Sequence, residues 1–190
     1  VPTFDSVLCR IVGQLESIEK ARPKLISIDG CPGSGKTALA QALARACGAQ
    51  VVKASHFLGT IAEDSSPEEQ FAKLYHWDEI EEKILRPTTS GRPIAYTPRD
   101  SNTENSEKLL QLCLPSKDII LEGSFISKQE FSQYFDFKIY MNTPAEERLK
   151  NLKREGKDQL DRYQSLLSLE NWYLETINPA KVCDFCCAHL

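Results

Sequence analysis

The residues with the most chemical content are contiguous. Gly30-Cys31-Pro32-Gly33-Ser34-Gly35-Lys36-Thr37 fits the phosphate-loop pattern G-x-x-x-x-G-K-[ST] without a mismatch. Glycines at three of these positions let successive backbone N–H groups converge on phosphate oxygens. The start of the following helix adds its positive end. Lys36 is placed to reach the terminal phosphates of a nucleoside triphosphate, and the Thr37 hydroxyl to join the shell of a Mg²⁺ ion. A second acidic group for the metal is expected at the end of a neighbouring strand. Glu122, after Ile119-Ile120-Leu121, has that position. Asp29, one residue ahead of the loop, is read as a group that braces the loop or stands behind the metal's own ligands. A late basic cluster, Arg148, Lys150, Lys153, Arg154 and Lys157, has the composition of a lid that neutralises phosphates, with Arg148 and Arg154 sharing a helix face. A solvated helix face is the plainer reading of the same run.

These residues need elements to hold them. Phe4, Val7, Leu8, Ile11, Val12, Leu15 and Ile18 give residues 4–20 a helical period. Residues 24–28 read as a short buried strand feeding the loop. The alanine-rich stretch 37–47 reads as a helix closed by Gly48. Further strands are expected at 51–54, 119–121, 137–141 and 182–187. A helix is expected from Pro67 to about Arg86, capped by Ser66. Residues 87–103 read as irregular, with a short hairpin as an option. Pro144 opens a helix towards Arg154, Gly156 interrupts it, and a longer helix follows over 158–177. This alternation predicts one α/β domain over 1–190: a three-layer sandwich around a mainly parallel five-stranded sheet, with lid helices at about 144–178.

Composition narrows the function classes. The 190 residues carry 27 acidic and 23 basic side chains, a net charge of −4. That balance argues against broad nucleic-acid binding and leaves room for a small basic site. No apolar run is long enough for a membrane span. The start at Val1-Pro2-Thr3 lacks the basic-then-apolar pattern of a signal peptide. The seven cysteines are scattered and odd in number, so a cytoplasmic, reducing setting is expected. Cys183-x-x-Cys186-Cys187-x-His189 has soft-metal ligand types but no paired second set. Buried thiols on a final strand, with Cys183, Phe185 and Cys187 on one face, are the preferred reading. Monomer and homodimer are left equally open.

The ordered set of weaker motifs resembles the uridine kinase-like and phosphoribulokinase-like branch of P-loop small-molecule kinases. The resemblance runs over nearly the whole chain. It rests on Val51-Val52-Lys53-Ala54-Ser55-His56-Phe57, Tyr75-His76-Trp77-Asp78, Leu85-Arg86-Pro87, Gly91-Arg92-Pro93, Tyr96-Thr97-Pro98-Arg99-Asp100, Ile120-Leu121-Glu122-Gly123 and the basic run from Arg148 to Arg154. It implies transfer of the γ-phosphate of ATP, with Mg²⁺, to a hydroxyl of a small metabolite. The reference acceptor is uridine or cytidine, with a vitamin, cofactor precursor or sugar phosphate as the alternative. It places Glu122 at the metal and Tyr75, Asp78, Arg99 and Asp100 at the acceptor site.

The departure from the family pattern falls at the acceptor. An acidic residue usual after the second strand is here Ser55, which cannot take a proton at neutral pH. Beside it stands His56; an imidazole, with an ordinary pKa of about 6.5, suits a base if it points inward. His76 also stands where an acidic residue is common. Three readings follow: His56 is the base; Asp64, Asp78 or Asp100 approaches from another segment; or the protein binds nucleotide and transfers phosphate poorly or not at all.

Overall fold

A computed structural model of the chain describes residues 3–62, 64–99 and 109–188. Helix α1 (Phe4–Glu16) starts where the Thr3 side chain accepts a hydrogen bond from the Ser6 amide, and it buries Val7, Ile11 and Leu15. Strand β1 (Leu25–Gly30), buried at every position, runs into the phosphate loop. Helix α2 (Lys36–Cys47) starts after Gly35, at φ 90°, and ends at Gly48, at φ 68°. Both glycines adopt the left-handed conformation that other residues resist.

Strand β2 (Gln50–Lys53) leads into a 3₁₀ turn at Ala54–Phe57. Helix α3 (Pro67–Lys73) carries the expected Ser66 cap, with Glu69 reaching back to complete a capping box. This helix is shorter than its sequence suggests. Gly59 donates to Leu74 O and His76 to Phe57 O, so Leu58 and Tyr75 form an antiparallel bridge that breaks the helix. The chain turns helical again through α4 (Trp77–Ile80), a π turn at Glu81–Leu85, and α5 (Arg86–Thr89). The hairpin expected within 87–103 has its second strand further on: β3 (Ile94–Tyr96) pairs with β4 (Gln111–Cys113).

Strand β5 (Ile119–Gly123), strand β6 (Phe137–Asn142) and strand β7 (Phe185–Ala188) complete the main sheet, in the order β2-β5-β1-β6-β7 with every pairing parallel. The lid region divides into α6 (Ala145–Glu155), α7 (Lys157–Ser165) and α8 (Leu167–Thr176), so the long helix read over 158–177 is two helices. Gly156, at φ 123°, makes the first break, as read from the sequence. A last turn, α9 (Pro179–Val182), precedes β7.

The sheet has a core on each face. Ile26, Ile28 and Ile139 meet α1 and α2 on one side, while Leu25, Val52 and Leu121 meet α3, α4 and α8 on the other. Each such fully buried aliphatic side chain contributes about 1.5–3 kcal/mol. This sandwich sets the C-terminal ends of β1 and β5 side by side, where open α/β sheets take ligands. In β7, which starts at Phe185 and not at 182, Phe185 and Cys187 point inward and Cys186 outward; Cys183, expected on the same face, lies ahead of the strand at the end of α9, with its thiol on Ala180 O. Burial pushes the Cys187 thiol up to about 12. Among the described residues no cluster of three metal-ligating side chains forms; His189 lies outside them. No helix among the described residues is long and apolar enough to cross a membrane.

Candidate active site

The register of the sheet makes the site. Ile28 pairs with Glu122 and Asp29 with Gly123, so the acidic end of β5 lies beside the strand that feeds the loop. The Thr37 hydroxyl donates to Glu122 Oε1 at 3.2 Å, closing a pair 85 positions apart in sequence. Both are hard oxygen donors, the type that Mg²⁺ takes together with water. Lys36 folds back onto its own loop, donating to Cys31 O at 2.9 Å and Ser34 Oγ at 3.3 Å. Burial lowers the pKa of its ammonium, while Glu122 and Asp29 oppose the shift.

The loop itself is held from behind by α6 and by Thr143 just ahead of it. Arg148 donates to Pro32 O at 3.3 Å, Asn151 to Gly33 O at 2.9 Å and Thr143 to Ser34 O at 2.9 Å. A peptide's C=O and the next N–H point in opposite directions. Tying these carbonyls to α6 therefore aims the Gly33 and Gly35 amides at the cleft, which both residues line. Gly33 admits no side chain: a Cβ there would sit 2.5 Å from the Arg148 carbonyl oxygen.

Asp29 braces the other end of the loop. Its Oδ1 accepts from the Gly30 amide at 2.6 Å and the Ile126 amide at 3.2 Å. Its Oδ2 accepts from Ser127 Oγ at 2.6 Å and from the Tyr173 hydroxyl. Four donors occupy the carboxylate, which fits the bracing role read from the sequence. Phe125, next to this network, is fully buried at φ 61°, a strained conformation for an aromatic residue.

The cleft in front of the loop holds about 500 Å³. Lys36, Thr37 and Glu122 form its floor, and Ser55, Leu58 and Tyr75 stand on one wall. Tyr75 is fixed there by donating to Ser124 O at 2.9 Å. From the lid side come Leu152, Glu155 and Tyr163, which sequence reasoning did not single out.

The basic lid departs from its expected placement. Arg148 is buried and pairs with Glu170 through two hydrogen bonds, at 2.9 and 2.6 Å. A further bond, at 3.1 Å, goes to Thr143 O, and the guanidinium lies over Tyr163. Its charge is spent behind the loop rather than over the phosphates. Burial lowers the pKa of its guanidinium, but Glu170 and Cys31 outweigh that and raise it overall. Lys150 pairs with Glu146 at 3.1 Å. Lys150 and Arg154 border a second groove of about 430 Å³ with Phe4, Gly35 and Ala38, beside the loop instead of in front of it. Cys31 is buried with its thiol pushed up to about 12, first by desolvation and then by Glu170.

The acceptor side also divides. Ser55 faces the cleft, whereas His56 turns to the hairpin, with Nδ1 2.9 Å from the Tyr96 hydroxyl and its ring against that ring. The residue read as a base thus stands off the cleft wall. Asp78 is exposed in the first turn of α4 and Asp64 is exposed on the surface; neither lines the cleft. Arg99 is exposed and paired with Glu79, with His76 Nε2 at 3.4 Å. Asp100 lies outside the described residues.

Residues 26–176 match the sequence pattern of the AAA domain family. The chain belongs to that family, and among P-loop kinases it is uridine kinase-like. It is 26% identical over 174 residues to a uridine kinase from Latilactobacillus sakei subsp. sakei (strain 23K), covering 85% of this chain and 79% of that one. A solved structure described as that of a possible uridine kinase from Bacillus stearothermophilus superposes with a TM-score of 0.70 at 21% identity, over 96% of this chain and 97% of that one. The second likeness is one of fold. The parallel sheet with its phosphate loop is the architecture of the P-loop kinases.

Proposed function

We propose that this protein is a single-domain kinase that transfers the γ-phosphate of ATP to a hydroxyl of a small metabolite, with a uridine- or cytidine-like nucleoside as the first acceptor to try. The observation that carries the reading is the Thr37–Glu122 pair, 3.2 Å apart, on the floor of the cleft beside Lys36. Mg²⁺, held by Thr37 and Glu122, would supply neutralisation of phosphate charge. Lys36 would exchange its loop contacts for phosphate oxygens, and the Gly33 and Gly35 amides would bind them along the loop. The nucleoside end of ATP would follow the groove bordered by Lys150, Arg154 and Phe4.

The acceptor hydroxyl would enter past Ser55 and Tyr75, and the apolar wall of Leu58, Leu74 and Phe125 suits the flat base of a nucleoside. Its oxygen bonds the γ-phosphorus as the bond to the β,γ-bridging oxygen breaks, and its proton leaves to water. Transfer through a loose transition state depends on positioning more than on a strong base. That makes the reaction feasible with Ser55 at the wall, though slower than with a carboxylate there. The lid helices over 144–178 would close the cleft, with Arg148 setting the loop's shape. All seven cysteines are free thiols, consistent with a reducing, cytoplasmic setting.

The same Ser55 favours a second reading, a nucleotide-dependent regulatory protein with little transfer. Acceptor-dependent ADP release separates the two. Uridine, cytidine and a panel of vitamins, cofactor precursors and sugar phosphates should include at least one that raises ADP formation above the acceptor-free rate. Tight ATP binding with no such acceptor would leave the regulatory reading standing and end the kinase one.

A further inference from the structure

The middle of the sheet carries polar residues that the kinase reading does not use. Strand β1 runs Leu25-Ile26-Ser27-Ile28, and a hydroxyl interrupts an otherwise aliphatic, fully buried segment. Ser27 is 5% exposed, and its hydroxyl has no hydrogen-bond partner among the described residues. Its register neighbour on β6 is Lys138, so a lysine lies beside it on the same face of the sheet. An interior strand of a parallel sheet normally spends such positions on aliphatic side chains. Two polar residues side by side there call for an explanation.

Both open into a cavity of about 530 Å³ on the sheet face that carries α8. Ser127 and Lys128 stand at one side, and Phe135 and Ile177 supply apolar wall. The cavity shares no lining residue with the cleft in front of the phosphate loop. No carboxylate is among its described lining residues. Lys138 Nζ spends one donor on Ser132 Oγ, at 3.0 Å, leaving two. Lys128 is held over the Trp77 and Phe131 rings, and its nearest acid, Glu130, is 3.9 Å away and exposed. Unspent ammonium donors and the Ser27 hydroxyl, opening to one cavity with an apolar wall, define a ligand by chemistry. It has a small anionic head and an apolar body.

We propose that this cavity is a second ligand site, taking a small carboxylate or phosphate on an apolar body. Its head lies against Ser27 and Lys138 and its body against Phe135 and Ile177. Ser27 has to be small for the head to reach the sheet, and Lys138 has to be long enough to bend over it.

Titration of phenyl phosphate and, separately, of benzoate tests the site, followed by backbone amide NMR shifts with a non-hydrolysable ATP analogue and Mg²⁺ present at saturation. Saturable shifts centred on residues 127–132 and 176–177 are expected from at least one probe, and the probe that binds tells phosphate from carboxylate. Lys138→Met should weaken that binding about tenfold and Ser27→Ala about fivefold, with unchanged melting temperatures. No saturable shift from either probe would overturn the proposal. So would binding that neither variant weakens, or binding that disappears because the ATP analogue holds the same place. None of these outcomes depends on phosphate transfer.

Discussion

Replacing Asp29 by asparagine tests whether this carboxylate is a brace or a metal ligand. Asp29 is 1% exposed and takes four hydrogen bonds, two from backbone amides on Oδ1 and two from hydroxyls on Oδ2. In Asp29→Asn the oxygen can still serve the Gly30 and Ile126 amides. The new NH₂ then faces Ser127 and Tyr173, whose hydroxyls must rotate to accept. Each bond loses its charge assistance, a change of about 1 kcal/mol. Four bonds give about 4 kcal/mol, of which roughly half is offset because a neutral amide is easier to bury than a carboxylate. A net loss of about 2 kcal/mol corresponds to a fall in melting temperature of about 4–8 °C in a chain of this size. Because the brace ends at Gly30, the affinity for an ATP analogue should also drop. The Mg²⁺ concentration for half-maximal binding should not move. Thermal melts and Mg²⁺ titrations on the variant decide the matter. An unchanged melting temperature together with a tenfold higher Mg²⁺ requirement would refute the bracing argument.

Other expectations come from the same contacts. Glu170→Gln leaves the buried Arg148 guanidinium without its counter-charge and should cost about 3–5 kcal/mol in urea unfolding, whereas Arg148→Met with Glu170→Met should recover most of that loss. Burial raises the Asp136 carboxyl, but Arg22, the Leu25 amide and Lys20 outweigh it and hold it below its usual range. A depressed folded-state value means stability that is present above the unfolded pKa of about 4 and lost as pH falls through the folded one. Asp136→Asn should therefore flatten the acid limb of the stability curve below about pH 4, read by chemical unfolding at stepped pH. Ser55→Asp puts a proton acceptor on the cleft wall and should raise the turnover of a nucleoside acceptor by about 100-fold, measured as initial rate; a variant no faster than the parent would show that the missing base is not what limits transfer.

The phosphate loop was legible because its chemistry needs contiguous residues and its glycines leave a local signature. The Ser66 cap and the Gly156 break were legible for the same reason: each is a short-range rule about one helix end. Glu122 was readable because strand ends can be placed from an apolar run, even without knowing that β5 lies beside β1. Arg148 was not readable. Helical spacing suggested a face shared with Arg154, but Arg148 is buried and Arg154 exposed, and the partner Glu170 lies 22 positions on, across two helix breaks. His56 and Ser55 are neighbours in a 3₁₀ turn, and nothing local says which of the two meets the cleft. The end of α3 was hidden because the Leu58–Tyr75 bridge that breaks it forms across 17 residues of chain. Sequence periodicity sees neighbours along an element, and each of these outcomes was decided by a partner from another one.

The most direct measurement of the central claim is transfer of label from [γ-³²P]ATP to uridine and cytidine in the presence of Mg²⁺. The Thr37–Glu122–Lys36 floor should yield labelled nucleoside monophosphate from the parent protein and little or none from Lys36→Met or Glu122→Gln. Label that stays in ATP with these nucleosides and with every other hydroxyl acceptor offered, while the ATP analogue still binds at the loop, would contradict it.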